Sequence, residues 1–115
     1  MTTRQDQIAA MNDQFRARGT SPSIQGRMFI TAGVAALPAR TQAEALAKVQ
    51  AFDAFTEDNN AHGERDFGAF DVSEAGRVFW KIDYYADADM EAGSEDPSDP
   101  AQCFRVLTIM LASEY

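Results

Sequence analysis

One polar stretch, residues 58–66, carries side chains that could bind a metal ion. Four of its residues fall at the first, third, sixth and ninth positions of a calcium-binding loop: Asp58, Asn60, Gly63 and Asp66. The fifth position is His62, and the twelfth is Ala69 where that loop requires a bidentate glutamate. A polar loop whose Asp and Asn side chains cap their own backbone turns explains the same residues.

The same stretch offers two further kinds of chemistry. His62, Glu64 and Asp66 are ligand types for a transition metal, although three alternating residues on one extended segment lack a distant partner. Glu64 and Asp66 also form a carboxylate pair, which acid–base catalysis requires to face a shared cleft. Because the chain has one cysteine and one histidine, we also expect no cysteine-based zinc site, and we predict no cofactor.

Charge is distributed unevenly along the chain. Residues 1–52 carry six basic and three acidic side chains, whereas residues 53–99 carry three basic and fourteen acidic ones. Residues 83–99, here called the acidic segment, contain seven acids and no base. Such a surface repels nucleic acid and anionic lipid, so we expect neither as a direct partner. It attracts basic proteins.

The acidic segment is therefore the predicted partner-binding site. Two Asp-Pro steps stiffen its last part, 93–100, so the carboxylates there could imitate phosphates on a nucleic-acid backbone or pair with an arginine cluster. A solvated loop that uses proline only for rigidity is the alternative. The candidate contact residues are Asp83, Tyr85, Asp87, Asp89, Glu91, Glu95, Asp96 and Asp99.

Two helices are predicted in the first half of the chain. The first runs from about Arg4 to Arg18, after a capping box formed by Thr3 and Asp6. A second capping box begins at Thr41, and the apolar positions that follow extend a helix to near Thr56. A short strand, 28–31, lies between the two helices, followed by an Ala-rich linker.

Three more strands are predicted in the second half. Residues 67–72 and 77–85 form a hairpin closed by Ser73–Gly76. Alternation along 77–85 directs Trp80 and its neighbours two residues away toward the helices, and leaves the opposite face partly hydrated. The apolar run within 101–115 favours a strand that pairs with 77–85, although Pro100 could also start a helix.

These elements predict an α+β fold, with two helices packed on one face of a mostly antiparallel sheet of about four strands. At 115 residues the chain suits a single domain, 1–115. It shows neither a signal peptide nor an apolar run long enough to cross a membrane, so we expect a cytoplasmic protein with no membrane partner.

Several runs resemble a bacterial domain-of-unknown-function family, DUF3768, from about Asn12 to the end of the chain. The most specific are Trp80-Lys81-Ile82-Asp83-Tyr84-Tyr85 and Leu107-Thr108-Ile109-Met110-Leu111-Ala112. The resemblance implies a small accessory or mobile-element protein. In the family, a histidine stands where this chain has Arg65, and Asn60-Ala61-His62 replace an Asp-Pro-Tyr run. Any histidine-dependent activity of that loop is therefore expected to be absent here.

Three functions remain open. The leading hypothesis is a non-enzymatic interaction protein that binds a basic protein surface, in one version as a nucleic-acid mimic that blocks a DNA- or RNA-binding protein. The second is a small hydrolase or metal-dependent enzyme built on residues 58–66. The third is a structural homodimer sealed by the C-terminal strand, which requires that strand to lie at a sheet edge.

Overall fold

A computed structural model describes residues 2–115. In these residues, three α-helices and four β-strands follow one another along the chain. They are α1 (Arg4–Arg18), β1 (Gln25–Ile30), α2 (Ala32–Ala35), α3 (Ala39–Gln50), β2 (Phe67–Val72), β3 (Gly76–Tyr85) and β4 (Phe104–Leu111). Short 3-10 turns cover Pro100–Gln102 and Ala112–Glu114.

The four strands form one sheet in the order β1-β4-β3-β2. β3 pairs antiparallel with both β2 and β4, while β1 pairs parallel with β4. The predicted α+β fold with a mostly antiparallel sheet is confirmed, with one parallel pair and one additional short helix. That helix, α2, replaces the Ala-rich linker expected after the first strand.

The core lies between the sheet and the helices. Val78, Trp80 and Ile82 of β3 are buried on the face that the alternation predicted. Phe52 and Phe55 pack edge-on against the Trp80 ring, at centroid distances of 5.5 and 6.2 Å. These aromatic contacts extend the core beyond the end of α3.

The first helix and the hairpin form where the sequence predicts them. Thr3 Oγ1 accepts from the backbone of Asp6 at 3.0 Å, and the Asp6 carboxylate accepts from the Thr3 amide at 3.2 Å, which completes the capping box. The hairpin turn places Glu74 and Gly76 at φ values of 73° and 74°. Such values suit glycine best, as expected for the last residue of the turn.

The predicted bounds of the second helix are wrong. α3 begins two residues before Thr41, which is buried inside the helix and donates to Glu74, while Glu44 accepts from the backbone of Ser73. The supposed capping residues therefore hold the β2–β3 turn. The helix ends at Gln50 instead of near Thr56. Its end leaves the Phe52 carbonyl available to Arg16, whose Nη2 donates to it at 3.0 Å.

The C-terminal strand is confirmed as a partner of β3, but it lies inside the sheet and not at an edge. The edge position that the homodimer hypothesis required of this strand is therefore not met, because both sides of β4 are already paired. Within residues 2–115, none of the helices has the length and apolarity needed to span a lipid bilayer.

Replacing Gly68 by alanine tests the packing between β2 and the aromatic core. A Cβ there would lie 2.8 Å from the Phe52 ring and would also collide with Trp80 Nε1. We expect a loss of about 1–3 kcal/mol in the free energy of unfolding, the usual cost of overpacking a core. Gly93→Ala is the control, since its Cβ would meet nothing closer than the Tyr84 carbonyl at 3.8 Å. Urea unfolding of both variants makes the measurement, and equal stabilities would contradict the packing.

Candidate functional site

A fully buried arginine on β4 ties the acidic segment to the core. Arg105 is 0% exposed. Its Nη2 donates to the backbone carbonyl of Pro97 at 2.7 Å, and its Nε donates to Asn12 Oδ1, also at 2.7 Å. The guanidinium carbon lies 5.4 Å from the centroid of the Tyr84 ring. Among the described residues no carboxylate forms an ion pair with Arg105, so neutral oxygens and an aromatic face hold this buried cation.

Asn12 on α1 extends this network to the 58–66 loop. The side chain is fully buried, and its amide donates to the Glu64 carbonyl at 2.9 Å and to the Tyr84 hydroxyl at 2.8 Å. The hydroxyl in turn donates to the Glu64 carboxylate at 2.9 Å. Burial is the main cause of a raised pKa for Tyr84, which therefore stays a neutral donor. Both candidate loops thus meet at one buried polar cluster.

The end of the acidic segment is further fixed by Ser94. Its amide donates to the Tyr84 carbonyl at 3.1 Å, and its hydroxyl donates to the Gln102 carbonyl at 2.7 Å. The same hydroxyl accepts from the backbone of Asp96 at 3.2 Å. Together with the Arg105 contact to Pro97, these bonds give residues 94–102 a defined conformation against the sheet.

The carboxylates of two predicted contact residues accept hydrogen bonds from the backbone of the segment and of the turn that follows it. Asp96 accepts from the amide of Ser98 at 3.1 Å and lies 3.4 Å from the Arg4 guanidinium. The Ser98 hydroxyl is the main cause of a lowered pKa for Asp96. Asp99 caps the following 3-10 turn by accepting from the amide of Ala101 at 3.0 Å. Asp96 and Asp99 therefore shape the segment rather than stand free.

The remaining candidates divide into partnered and free groups. Asp83 pairs with Lys81 at 3.0 Å, and Asp87 accepts from the amide of Asp89 at 3.0 Å. Tyr85 is half-buried and lies directly opposite Phe104 on the neighbouring strand β4. Across residues 2–115, the carboxylates of three exposed residues of the segment accept no hydrogen bond and form no ion pair; these residues, here called the free carboxylates, are Asp89, Glu91 and Glu95.

The 58–66 loop is held both by its own polar groups and by α1 and β3. Asn60 Oδ1 accepts from the amide of Arg65 at 2.8 Å, and Gly63 adopts a φ of 71°. Asp58 and His62 are exposed, whereas Glu64 is directed to the Tyr84 hydroxyl. In the part of the chain that the structure describes, no three His, Cys, Asp or Glu side chains converge in a way that could hold a metal ion.

Asp66 and Arg65 have distinct environments in this loop. Asp66 is half-buried, and burial raises its pKa, with the negative charge of Glu64 adding to the effect. Arg65 Nη1 lies 2.6 Å from Asp13 of α1, and its guanidinium carbon lies 5.6 Å from the Phe55 ring centroid. Arg65 therefore binds the loop to α1 through its charge and its planar face.

The sequence analysis missed Asn12, Tyr84 and Arg105 as site residues. Two signals were present in the sequence. Asn12 lies on the same helical stripe as Ile8 and Phe15, so a polar side chain interrupts an apolar face. Arg105 is a charged residue on a strand otherwise dominated by apolar side chains. Each is a buried polar group that requires a partner, and only the fold shows that they partner each other.

The fold and the cluster define a small α+β protein whose acidic surface segment is hydrogen-bonded to a buried side chain of its core. Residues 30–114 match the family model described as Protein of unknown function (DUF3768). The chain belongs to this family, and the match covers β2, β3, β4 and both polar loops of the site, whereas Asn12 on α1 lies before it. No curated protein and no solved structure matches the chain.

Replacing Asn12 by alanine tests the buried cluster. The change leaves Arg105 Nε and the Tyr84 hydroxyl each without one hydrogen-bond partner in the interior. We expect a loss of about 2–3 kcal/mol in the free energy of unfolding, because unsatisfied buried polar groups cost about 1–3 kcal/mol. Gln14→Ala, at an exposed position of the same helix, is the control and should change stability by less than about 0.5 kcal/mol. Urea unfolding measures both variants, and an equal loss in the free energy of unfolding would show that the buried cluster does not stabilise the fold.

Titration of Asp66 tests the electrostatics of the loop. The carboxyl carbon, followed by NMR, should titrate above the usual aspartate pKa of about 3.9, and Glu64→Gln should move it down by removing a nearby negative charge. A raised pKa means that the folded state binds the proton more tightly, so this group lowers stability as pH rises through its folded pKa. Asp66→Asn should therefore gain stability over the wild type with rising pH. An unshifted Asp66 would contradict the burial.

Proposed function

We propose that this protein is a non-enzymatic interaction protein that binds a basic protein surface through its acidic segment and the neighbouring sheet face. The observation that carries the proposal is the exposure of the free carboxylates on a segment that Arg105 bonds to the core. A segment already held in place loses little conformational entropy on binding, which favours affinity.

The partner in this proposal is a cytoplasmic nucleic-acid-binding protein. Such proteins present clustered Arg and Lys side chains that normally contact phosphates. Asp89, Glu91 and Glu95 supply carboxylates that those side chains can bind instead, in the manner of a nucleic-acid mimic. The net charge of −8 supports this choice, because it speeds encounter with a basic partner and opposes binding to nucleic acid itself.

The competing function is a small hydrolase or metal-dependent enzyme that uses the 58–66 loop. The raised pKa of Asp66 beside Glu64 favours it, since a general acid must hold its proton near the working pH. Against it, the Glu64 carboxylate already accepts from Tyr84 inside the buried cluster. The two functions make opposite predictions for mutations in the two loops, which allows one experiment to separate them.

The direct test neutralises only the free carboxylates. The immobilised wild type and the triple variant Asp89→Asn, Glu91→Gln, Glu95→Gln are incubated with a nuclease-treated bacterial lysate at low and high salt. The wild type should retain a basic, nucleic-acid-binding protein at low salt, and retention should fall as salt screens the charges. The variant should bind about tenfold less, because three exposed ion pairs at about 0.5 kcal/mol each total about 1.5 kcal/mol.

The matched control neutralises three exposed acids that lie outside both candidate loops: Asp53→Asn, Glu57→Gln and Asp71→Asn. It changes the net charge equally and leaves the acidic segment intact, so it should bind like the wild type. Asp96 and Asp99 stay unmutated in both variants because they shape the segment. If the triple variant and the control lose the same amount of the bound partner, the effect of charge is non-specific. If the triple variant retains as much partner as the wild type, the acidic segment is not the binding site. A partner lost on Glu64→Gln alone would favour the 58–66 loop.

A further inference from the structure

The edge strand β1 leaves an unusual set of apolar side chains exposed. Within residues 2–115 it pairs with β4 alone, so its other side is a free edge of the sheet. Three consecutive residues of this strand, Met28, Phe29 and Ile30, are 47%, 40% and 41% exposed. Of the large apolar side chains in residues 2–115, only Tyr115 is comparably exposed. Since neighbouring residues of a strand point to opposite faces, both faces of this edge are apolar.

An apolar cleft runs beneath the same strand. Two adjoining cavities of about 280 and 190 Å³ lie between β1 and α3 and share Met28 and Leu46 as lining residues. Larger apolar side chains of α1, β1 and β4 also line the cleft: Phe15, Ile30, Leu107 and Ile109. The cleft therefore provides a place for apolar side chains of a molecule that docks along the edge.

The mouth of this cleft is basic in an otherwise acidic protein. Arg18 and Arg27 line the first cavity. In the described part of the chain, neither forms an ion pair with a carboxylate, and they share this property only with the buried Arg105. The remaining bases are all paired: Arg4, Arg16, Arg40, Lys48, Arg65, Arg77 and Lys81.

We infer that β1 binds an extended, acidic segment of another protein, which adds to the sheet as a fifth strand. The free backbone groups of the edge supply the main-chain hydrogen bonds of such strand addition. Alternate apolar side chains of the segment cover Met28 and Ile30 on one face and Phe29 on the other. Its carboxylates pair with Arg18 and Arg27. This surface is distinct from the acidic segment and has the opposite charge preference.

Charge complementarity favours such a segment over a second copy of this chain. If two β1 strands paired antiparallel about Met28, the two Arg27 side chains would lie on one face as diagonal neighbours, about 7–8 Å apart. The two Arg18 side chains, at the mouths of the same clefts, would add further positive charge to that interface. An acidic strand removes this repulsion and gives each arginine a partner.

The test is selection of peptides from a phage-displayed library of random octapeptides on the full-length protein. The inference predicts enrichment of peptides that alternate apolar residues and carry at least two acids. The best peptide is then synthesised, and its affinity is measured by fluorescence polarisation. Its counterpart with alternate backbone amides N-methylated should bind at least tenfold less, because methylation removes the donors that strand addition requires.

Two double variants locate the binding surface. Arg18→Gln, Arg27→Gln should weaken the peptide about tenfold, whereas the control Arg40→Gln, Arg77→Gln, which removes two exposed bases elsewhere, should bind like the wild type. Absence of enrichment, selected peptides without acids, or equal binding by the two double variants would overturn the inference. A concentration-dependent dimer in sedimentation that Phe29→Lys dissociates would overturn it in favour of a second copy.

Discussion

The buried guanidinium of Arg105 is the constraint on which the arrangement of the loops depends. Moving a charged group out of water is costly, and here no carboxylate among residues 2–115 offsets the cost. The compensation comes from Asn12, the Pro97 carbonyl and the Tyr84 ring, which belong to three different parts of the chain. Among residues 2–115, Nη1 has no hydrogen-bond partner. The network therefore fixes the acidic segment against the sheet, and losing one member of it is costly because another buried polar group then loses its partner.

Local patterns predicted much of the fold. The Thr3–Asp6 capping box, the alternation along β3 and the apolar run of β4 depend on near neighbours, and each forms as expected. The predicted start of the second helix was wrong because Thr41 and Glu44 hold the distant β2–β3 turn instead of capping their own helix. A capping pattern states what two side chains can do, but tertiary contacts decide which partner they take.

The candidate site was predictable only in its charge. The distribution of charge located the acidic segment. It could not show that the Asp96 carboxylate is hydrogen-bonded within the segment whereas the Glu95 carboxylate is free. That difference depends on Ser94 and Pro97 being held against the sheet by Tyr84 and Arg105. Charge is a property of the sequence, whereas the availability of a carboxylate is a property of the fold.

The proposed function requires the acidic segment to be a preformed surface, and hydrogen–deuterium exchange of the free protein measures whether it is. We expect strong protection of the Ser94 amide, which donates to the Tyr84 carbonyl, and of the Asp99 and Gln102 amides, which donate within the segment and its 3-10 turn. Protection is also expected for the Ala86 and Met90 amides, which donate to the Ala92 and Asp87 carbonyls and so close the turn that carries Asp89 and Glu91. Exchange of all these amides at the rate of an unfolded chain would refute a preformed segment, because the free carboxylates would then have no fixed arrangement.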